Sequence, residues 1–328
     1  MKKVYLGVDV GSVSTNIVVM DSNKNILDNL YIRTKGKPIE ALKIGLRQTR
    51  NKLDKDTKVL GLGTTGSGRH LASTMLGADI VKNEITAHGV AALNTVPDVN
   101  TIIEIGGQDS KIILLRDGIV YDFAMNTVCA AGTGSFLDRQ AERLGIPIQE
   151  FGNLALKSKS QVRIAGRCAV FAESDMIHKQ QLGHNQEDII NGLCEAMARN
   201  YLNNLGKGKD IKPPVIFQGG VAANIGIKKA FERLLGHEII VPRFAGVMGA
   251  IGSCLLAREE VRKTGKTKFL GLDIADSNFN VKSFECENCS NMCEVVKFYR
   301  DEKLAARWGD KCGRWSNVQI AKDDEKLA

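Results

Sequence analysis

The sequence contains no long hydrophobic run. Hydrophobic residues make up 43% of the 328-residue chain, but no apolar stretch approaches the roughly 20 residues that a membrane-spanning helix needs. Strand-like sequence begins at Val4, with no apolar leader or cleavage site before it. These two absences predict a cytoplasmic protein that has no membrane partner.

Aromatic residues and focused positive charge are also scarce. Aromatic residues are 5% of the chain, and the net charge of +8 is scattered, with some density from Arg33 to Lys58. A nucleic-acid-binding surface usually concentrates basic side chains on one face, often with aromatic side chains between them. The sequence therefore predicts no nucleic-acid partner, and we interpret the basic stretch as a solvated helix face.

The chain does contain an internal duplication. Strand patterns near 4–8, 16–20 and 26–33 form a β-meander with a glycine turn after its first strand, and the pattern recurs at 101–105, 111–115 and 119–123. Helical patterns alternate with short strands around both copies, which predicts an α/β core. The predicted organisation is a first domain at 1–97, completed by a helix at about 245–262, a second domain at 98–244, and a C-terminal cysteine-containing appendage at 263–328.

Each copy of the meander carries a loop suited to phosphate. The first loop runs from Asp9 to Thr15 and the second from Glu104 to Ser110. Glycine lets backbone N–H groups approach a phosphate closely, and an acidic residue at a strand end is a typical Mg²⁺ ligand through water. One such turn alone is more often an ordinary hairpin, whereas two at equivalent positions predict a clamp for ATP or ADP.

A third glycine turn, at 218–222, follows a strand and precedes a helix, which suits adenosine or the α-phosphate. The predicted nucleotide-binding residues are Gly11, Ser12, Ser14, Thr15, Gly106, Gly107, Gly219, Gly220 and Val221. The predicted catalytic residues are Asp9, for Mg²⁺, and Gln108 and Asp109, for orienting a hydrolytic water. Glu84 and His88 are spaced to share a helix face, and Arg69 is placed to link a loop to the cleft; for all three a packing or surface role is an equal alternative.

Two core cysteines stand in glycine-rich settings. Cys129 precedes a predicted helix and Cys168 opens another, and a cysteine at a helix N-terminus is a better thiolate ligand. The alternative is that both are small buried residues, as we interpret Cys194 and Cys254. A cubane iron–sulfur cluster normally takes four thiolates, which two cysteines from each of two identical chains would supply.

The phosphate and adenosine motifs resemble those of the actin, Hsp70 and sugar-kinase superfamily, which implies two duplicated ribonuclease H-like domains with a nucleotide cleft between them. The segments 64–69, 83–88, 104–109, 129–134 and 166–171 resemble a narrower group, the BadF/BadG/BcrA/BcrD-type ATPases that activate 2-hydroxyacyl-CoA dehydratases and benzoyl-CoA reductases. The resemblance covers roughly residues 1–260.

This resemblance implies a homodimer that holds one [4Fe-4S] cluster between its subunits, with Cys129 and Cys168 as ligands. ATP hydrolysis would drive one low-potential electron to an iron–sulfur dehydratase or reductase, and a ferredoxin or flavodoxin would supply it. Such proteins are oxygen-sensitive and belong to anaerobic metabolism. The alternatives are a small-molecule kinase of the same superfamily, or a nucleotide-dependent regulator or scaffold. The kinase alternative leaves Cys129 and Cys168 unexplained, whereas the regulator or scaffold would bind a partner through its tail.

The tail carries four further cysteines. Cys286, Cys289 and Cys293 are separated by two and three residues, and Cys312 follows after 18. Four cysteines in a short polar segment are typical of a metal site, for Zn²⁺ or for a second iron–sulfur cluster. The minimal members of the family end near the last core helix, so the tail departs from their pattern.

Overall fold

The computed structural model describes residues 2–126 and 129–316. The final stretch of the predicted appendage, 317–328, and two residues of the Cys129 motif, 127–128, fall outside this range. The described part contains two five-stranded mixed sheets and helices on their faces, which confirms the predicted α/β architecture. None of its helices is both long enough and apolar enough to cross a membrane.

The first sheet contains the first predicted meander. Its strands are Lys3–Val10 (β1), Ser14–Asp21 (β2), Ile26–Arg33 (β3), Lys58–Thr65 (β4) and Ile80–Val81 (β5). β1, β2 and β3 pair antiparallel, while β4 and β5 continue the sheet in parallel beyond β1, so the order is β3-β2-β1-β4-β5.

Three helices accompany the first sheet: Pro38–Lys52 (α1), Arg69–Leu76 (α2) and Glu84–Thr95 (α3). Proline in the first turn of α1 replaces an N–H that would have no helical partner. α3 begins where the side chain of Asn83 accepts a hydrogen bond from the Thr86 N–H. The sequence did not predict α2, which starts without a side-chain cap and ends at the left-handed Gly77.

The second sheet repeats this topology. Its strands are Thr101–Ile105 (β6), Ser110–Arg116 (β7), Ile119–Asn126 (β8), Val215–Gln218 (β9) and Ile239–Ile240 (β10). β6, β7 and β8 pair antiparallel, β9 and β10 are parallel additions, and the order is β10-β9-β6-β7-β8. Two sheets with one strand order and one pattern of directions confirm the predicted duplication.

The helices of the second half are Gly134–Arg143 (α4), Ile148–Ala155 (α5), Ala169–Gln181 (α6), Gln186–Tyr201 (α7) and Ile225–Leu235 (α8). The sequence did not predict α5. The helical spacing of apolar residues predicts one helix over 187–205, but α7 ends at Tyr201 and continues as one wide turn at Leu202–Gly206.

The helix Met248–Thr264 (α9) and α3 lie between the two sheets. A Cβ on Gly7 or Gly63 of the first sheet would collide with the backbone of α9, so these glycines allow the helix to lie against the sheet. Ile85 and Ala92 of α3 pack against apolar side chains of the second sheet. α1 and α2 cover the outer face of the first sheet, and α4 to α8 cover that of the second. The molecule therefore has five layers: outer helices, the first sheet, α3 with α9, the second sheet, and outer helices again. The cleft lies where β1 and β6 end.

The tail forms a third sheet. Its antiparallel strands Phe279–Glu285 (β11), Glu294–Arg300 (β12) and Lys303–Trp308 (β13) were not predicted from the sequence. The predicted appendage does not stand apart, because Ile274, Ala275 and Phe298 join the apolar cluster under α1 and α2. Lys43 donates to the Ser277 carbonyl at 2.9 Å, and Arg47 pairs with Asp276 at 3.1 Å.

Candidate functional site

The two predicted phosphate loops have the same geometry. Three residues join β1 to β2 and four join β6 to β7. In each hairpin the N–H of the first loop residue donates to the carbonyl three residues later: Gly11 to Ser14 at 2.8 Å and Gly106 to Asp109 at 3.0 Å. In the strands, Asp9 pairs with Asn16, and Glu104 pairs with Lys111. Asp9 and Glu104 therefore occupy equivalent positions, as do Asn16 and Lys111.

The loops meet across the cleft between the sheets. A Cβ on Gly107 would lie 2.6 Å from the side chain of Val13, so only glycine allows the second loop to approach the first this closely. Both loops and the third glycine turn line one cavity. Its lining includes ten of the predicted residues: Asp9, Gly11, Ser12, Ser14, Gly106, Gly107, Gln108, Asp109, Gly219 and Gly220.

The Asp9 carboxylate lies at the base of this cavity between two glycines. A Cβ on Gly66 or on Gly249 would collide with one or other of its oxygens, so both must remain glycine if Asp9 is to keep its place. Burial raises the pKa of Asp9 to about 6, against a partial opposing effect of the Lys111 charge. A cation at this carboxylate would remove the cost of burying its charge.

Lys111 holds the second set of charges. It is buried, and its Nζ lies 3.0 Å from Glu104 Oε2 and 2.9 Å from Asp109 Oδ2. Burial raises the pKa of Glu104 to about 7, and the Lys111 charge acts in the opposite direction. The two carboxylates keep the Lys111 pKa above its ordinary value. The ammonium group therefore stays charged beside the second loop, facing the same cavity as Asp9.

A neutral histidine completes the floor of the cavity. His88 is buried, and burial with the nearby Lys111 charge lowers its pKa to about 3. Gln218 Nε2 lies 2.8 Å from His88 Nδ1, and a neutral imidazole that accepts there carries its proton on Nε2. Glu84, one turn earlier on α3, also lines the cavity. Arg69 links Glu84 to the turn after β4, because it lies 3.7 Å from the Glu84 carboxylate and donates to the Gly66 carbonyl at 3.1 Å.

A second cavity adjoins the first. The two share Val13, Tyr31, Gly106, Gly107 and Gly220. The second is also lined by Val221 and Asn224 of the third turn and by Leu137 and Ile148 of α4 and α5. A polar cavity with carboxylates joined to one with apolar walls suits a nucleotide, whose phosphates and base differ in the same way.

One predicted residue lies elsewhere. Thr15 is buried in β2 behind the first loop, its Oγ1 3.1 Å from Thr34 Oγ1, and it lines neither cavity. Four residues that line the first cavity were not predicted from the sequence: Lys111, Asn16, Tyr31 and Gly249. A lysine in an otherwise apolar strand was the available signal for Lys111. Asn16 Oδ1 is buried and, among the described residues, has no hydrogen-bond partner.

The two core cysteines lie at the positions predicted for them. Cys168 directly precedes α6, and Cys129 precedes a single turn, Ala130–Gly132, and then α4. Both are free and half-buried, unlike Cys194 and Cys254, which are fully buried as predicted. Asn200 of α7 joins the two loops, because its Nδ2 lies 4.0 Å from Cys129 Sγ and donates to the Gly166 carbonyl at 2.6 Å.

The segment after Cys129 is bonded to the second phosphate loop. The Gly134 N–H donates to the Gly106 carbonyl at 2.9 Å, and the Ser135 N–H donates to the Gly107 carbonyl at 2.8 Å. A second connection runs through α7, where Tyr201 donates to the Lys111 carbonyl at 2.6 Å beside Asn200. The cysteine loops and the phosphate loop are therefore joined by hydrogen bonds over a few residues.

Exposed apolar side chains surround the cysteine loops. Val170 and Phe171 of α6 are 68% and 60% exposed, and Phe123 and Met125 near the end of β8 are 50% and 36% exposed. Apolar patches of this kind on a folded chain are typical of a surface that binds another protein.

The four tail cysteines occupy two loops of the third sheet. Cys286 is buried, Cys293 is half-buried, and Cys289 and Cys312 are exposed. Across residues 2–126 and 129–316, no three histidine, cysteine or acidic side chains converge into a ready metal site.

The sequence profile described as the BadF/BadG/BcrA/BcrD ATPase family matches residues 6–257. The chain belongs to this family. The resemblance inferred from the motifs is thereby confirmed, and the matched region contains both phosphate loops, the third turn, Cys129 and Cys168.

Similar proteins fit the same region. The chain is 34% identical to the (R)-2-hydroxyglutaryl-CoA dehydratase activating ATPase of Acidaminococcus fermentans, over 79% of this chain and 98% of that protein. It is also 34% identical to the 2-hydroxyisocaproyl-CoA dehydratase activator of Clostridioides difficile, over 80% and 97%.

Two solved structures agree with the fold. The activator of the 2-hydroxyisocaproyl-CoA dehydratase from Clostridium difficile with bound ADPNP matches with a TM-score of 0.73 and 32% identity, over 80% of this chain and 97% of that one. Component A of the (R)-2-hydroxyglutaryl-CoA dehydratase of Acidaminococcus fermentans matches with a TM-score of 0.72 and 32% identity, over 79% and 99%.

Proposed function

We propose that this chain couples ATP hydrolysis to one-electron transfer, from a [4Fe-4S] cluster held between two copies of the chain to an iron–sulfur dehydratase or reductase. The observation that carries the proposal is the hydrogen bonding of the segment after Cys129 to the second phosphate loop. A change at the nucleotide would reach the cluster through the Gly134 and Ser135 N–H groups.

The nucleotide would lie in the two joined cavities. The glycine loops at 11–14 and 106–109 would hold the phosphates, and the turn with Gly219, Gly220 and Val221 would contact adenosine. Asp9 and the unpartnered Asn16 Oδ1 fit Mg²⁺, which prefers oxygen ligands and keeps several waters. Gln108 and Asp109 would orient the attacking water. A similar protein was solved with bound ADPNP, which supports a nucleotide as the ligand.

The donor set at the other site fits half of a cubane cluster. Cys129 and Cys168 are free, half-buried thiols at the starts of helices, where backbone N–H groups favour an anionic ligand. Two thiolates per chain require a second chain to complete four. The apolar surface at Val170 and Phe171 supports a contact between copies beside these cysteines. When bound, the cluster supplies a one-electron carrier.

The partners follow from the relatives. Several of them are described as activators of 2-hydroxyacyl-CoA dehydratases, which supports an iron–sulfur dehydratase or reductase as the electron acceptor. A ferredoxin or flavodoxin is the proposed donor. The ATP cycle would expose the cluster to the acceptor in one nucleotide state. The same change would alter the reduction potential of the cluster, because solvent exposure and hydrogen bonds to sulfur tune that potential.

The test is anaerobic purification of the wild-type chain, of Cys129→Ser, and of Cys254→Ala as a control that removes a thiol from α9. We expect the wild type and the control to be brown dimers with about four irons per dimer and absorbance near roughly 400 nm that dithionite bleaches. Cys129→Ser should lose the cluster while still binding ATP. A full cluster in Cys129→Ser contradicts the ligand assignment, and a colourless wild type that phosphorylates a metabolite contradicts the function.

A further inference from the structure

The four tail cysteines lie in loops at one end of the third sheet. β11 ends at Glu285, paired with Glu294, so the hairpin loop between them carries Cys286, Cys289 and Cys293. β13 ends at Trp308, paired with Val296 close to the same end of β12, and Cys312 follows in the next loop. Strands not predicted from the sequence therefore bring together two loops that are distant along the chain.

The two loops are in contact. Trp315 Nε1 lies 3.3 Å from Cys286 Sγ, and the Trp315 ring meets the Phe284 ring edge-to-face with 5.0 Å between centroids. Asp310 fixes the second loop by accepting a hydrogen bond from the Trp315 N–H at 2.8 Å. Cys312 lies between Asp310 and Trp315 along the chain, so it belongs to the loop that contacts Cys286.

The sulfur of Cys286 has the surroundings of a metal-bound thiolate. The residue is 7% exposed, and its Sγ accepts from Asn288 Nδ2 at 3.2 Å as well as from Trp315 Nε1. The backbone of the same loop closes by a hydrogen bond from the Cys286 N–H to the Cys293 carbonyl at 2.8 Å. N–H donors directed at sulfur are typical of the shell that orients thiolate ligands around a metal.

We propose that Cys286, Cys289, Cys293 and Cys312 form a tetrahedral zinc site that fastens the two loops together. Zinc suits a closed set of four thiolates, with two of them separated by two residues. Within the described residues, no three of these thiols lie close enough together to share a metal ion. Completing the site requires the exposed Cys289 and Cys312 to turn toward the buried Cys286, which surface loop side chains are free to do.

The position of the site explains why a metal is useful there. The docking contacts of the tail, from Lys43 to Ser277 and from Arg47 to Asp276, lie next to the start of β11, at the opposite end of the sheet. The cysteine-bearing loops lie at the other end of the sheet, and a three-stranded sheet of this size buries little apolar surface alone. A metal bond would supply the stability that packing does not.

The test uses the full-length chain carrying Cys129→Ser and Cys168→Ser, so that iron at the proposed inter-subunit cluster does not enter the metal count. Elemental analysis should give about one zinc per chain. Adding Cys289→Ser and Cys312→Ser should lower the zinc content at least about tenfold, whereas adding Ser290→Ala, an exposed change in the same hairpin loop, should retain it. Zinc that persists without the tail cysteines, no metal in the parent chain, or iron with sulfide in place of zinc would each overturn the proposal.

A second measurement avoids variants of the tail. The chain has two tryptophans, Trp308 and Trp315, and both lie in the third sheet or the loop after it. Removing the metal with a chelator should shift their fluorescence to longer wavelength, and added Zn²⁺ should restore it. Unchanged fluorescence on chelation would contradict the site. Because neither readout involves nucleotide or the core cluster, the zinc site can fail while the electron-transfer function holds, and the reverse.

Discussion

At the scale of single residues, the buried carboxylate of Asp9 lowers the stability of the folded protein at neutral pH. Asp9 is held between Gly66 and Gly249, largely out of water, and its pKa is raised to about 6. The folded protein therefore holds the Asp9 proton more tightly than the unfolded chain does. The stability that this group contributes is fully present below its ordinary pKa of 3.8 and is lost as the pH rises through about 6.

Asp9→Asn should therefore stabilise the nucleotide-free protein at pH 8 and have almost no effect at pH 4. A neutral amide avoids the cost of burying the carboxylate, about 3 kcal/mol in the free energy of unfolding at the higher pH. The same change should abolish stabilisation by Mg²⁺ and ATP, because the carboxylate is the proposed metal ligand. Urea unfolding at both pH values, with and without Mg²⁺ and ATP, measures both effects.

The matched control is Asp54→Asn, which neutralises an exposed carboxylate and should change stability little at either pH. Equal stabilisation by Asp9→Asn at pH 4 and pH 8 would show that the charge of Asp9 is not its cause. Undiminished stabilisation by Mg²⁺ and ATP would remove Asp9 from the proposed metal site.

At the scale of elements, the tail is held to α1 mainly by apolar contacts. Ala275 is fully buried and Ile274 nearly so, in one cluster with Phe298 of β12. The ion pairs around them are exposed: Asp273, which Arg50 contacts, has a side chain that is 92% exposed. Exposed pairs of this kind contribute about 1 kcal/mol or less, so they set the position of the tail more than its stability.

Ala275→Asp should release the tail from α1 because it places an unpaired charge in the apolar contact. Limited proteolysis should then cut the 265–278 segment at least about tenfold faster than in the wild type, while ATP binding is retained. Asp273→Asn, which removes only the exposed pair, should be cut at nearly the wild-type rate. The opposite ranking of the two variants would show that the ion pairs hold the tail.

The sequence predicted the elements that bury one face in a regular pattern. The duplicated strands β1–β3 and β6–β8 were recognisable because most are apolar runs bounded by glycine turns. The helices α2 and α5 were missed because eight residues hold little more than two turns, too few to show a period. The strands of the tail were missed because β11 is exposed along most of its length and shows no alternation.

The candidate site was predictable only in part, for a similar reason. The glycine turns could be recognised from the sequence because the residues that form each phosphate loop are consecutive. Asn16 and Lys111 line the cavity because neighbouring strands pair across the sheet. Gly249 lines it because α9, which begins at Met248, returns to the first sheet from far along the chain. No local pattern encodes either relation. Thr15, predicted from the same local motif as Ser14, is directed behind the loop by the alternation of the strand.

At the scale of the whole molecule, the described chain carries half of the proposed cluster site and an uncovered apolar surface beside it. Phe171 lies three residues after Cys168 and is 60% exposed at the start of α6. A side chain of this size in water beside a half-buried thiol is expected to be covered when two copies meet. The cluster and the dimer should therefore depend on each other.

Phe171→Asp should produce a monomer that contains no cluster. The substitution would place a negative charge from each copy in the proposed apolar contact, so the copies would repel each other. Each chain alone supplies only two of the four thiolates that the cluster needs. Ile119→Asp is the matched control: Ile119 is 70% exposed, but it lies at the end of β8 away from Cys129, so this variant should remain a brown dimer. Light scattering after anaerobic gel filtration, with iron analysis of the same fractions, measures both properties together. A Phe171→Asp dimer with full iron content would place the contact between copies elsewhere, and a monomer with full iron content would show that one chain holds the cluster without a second.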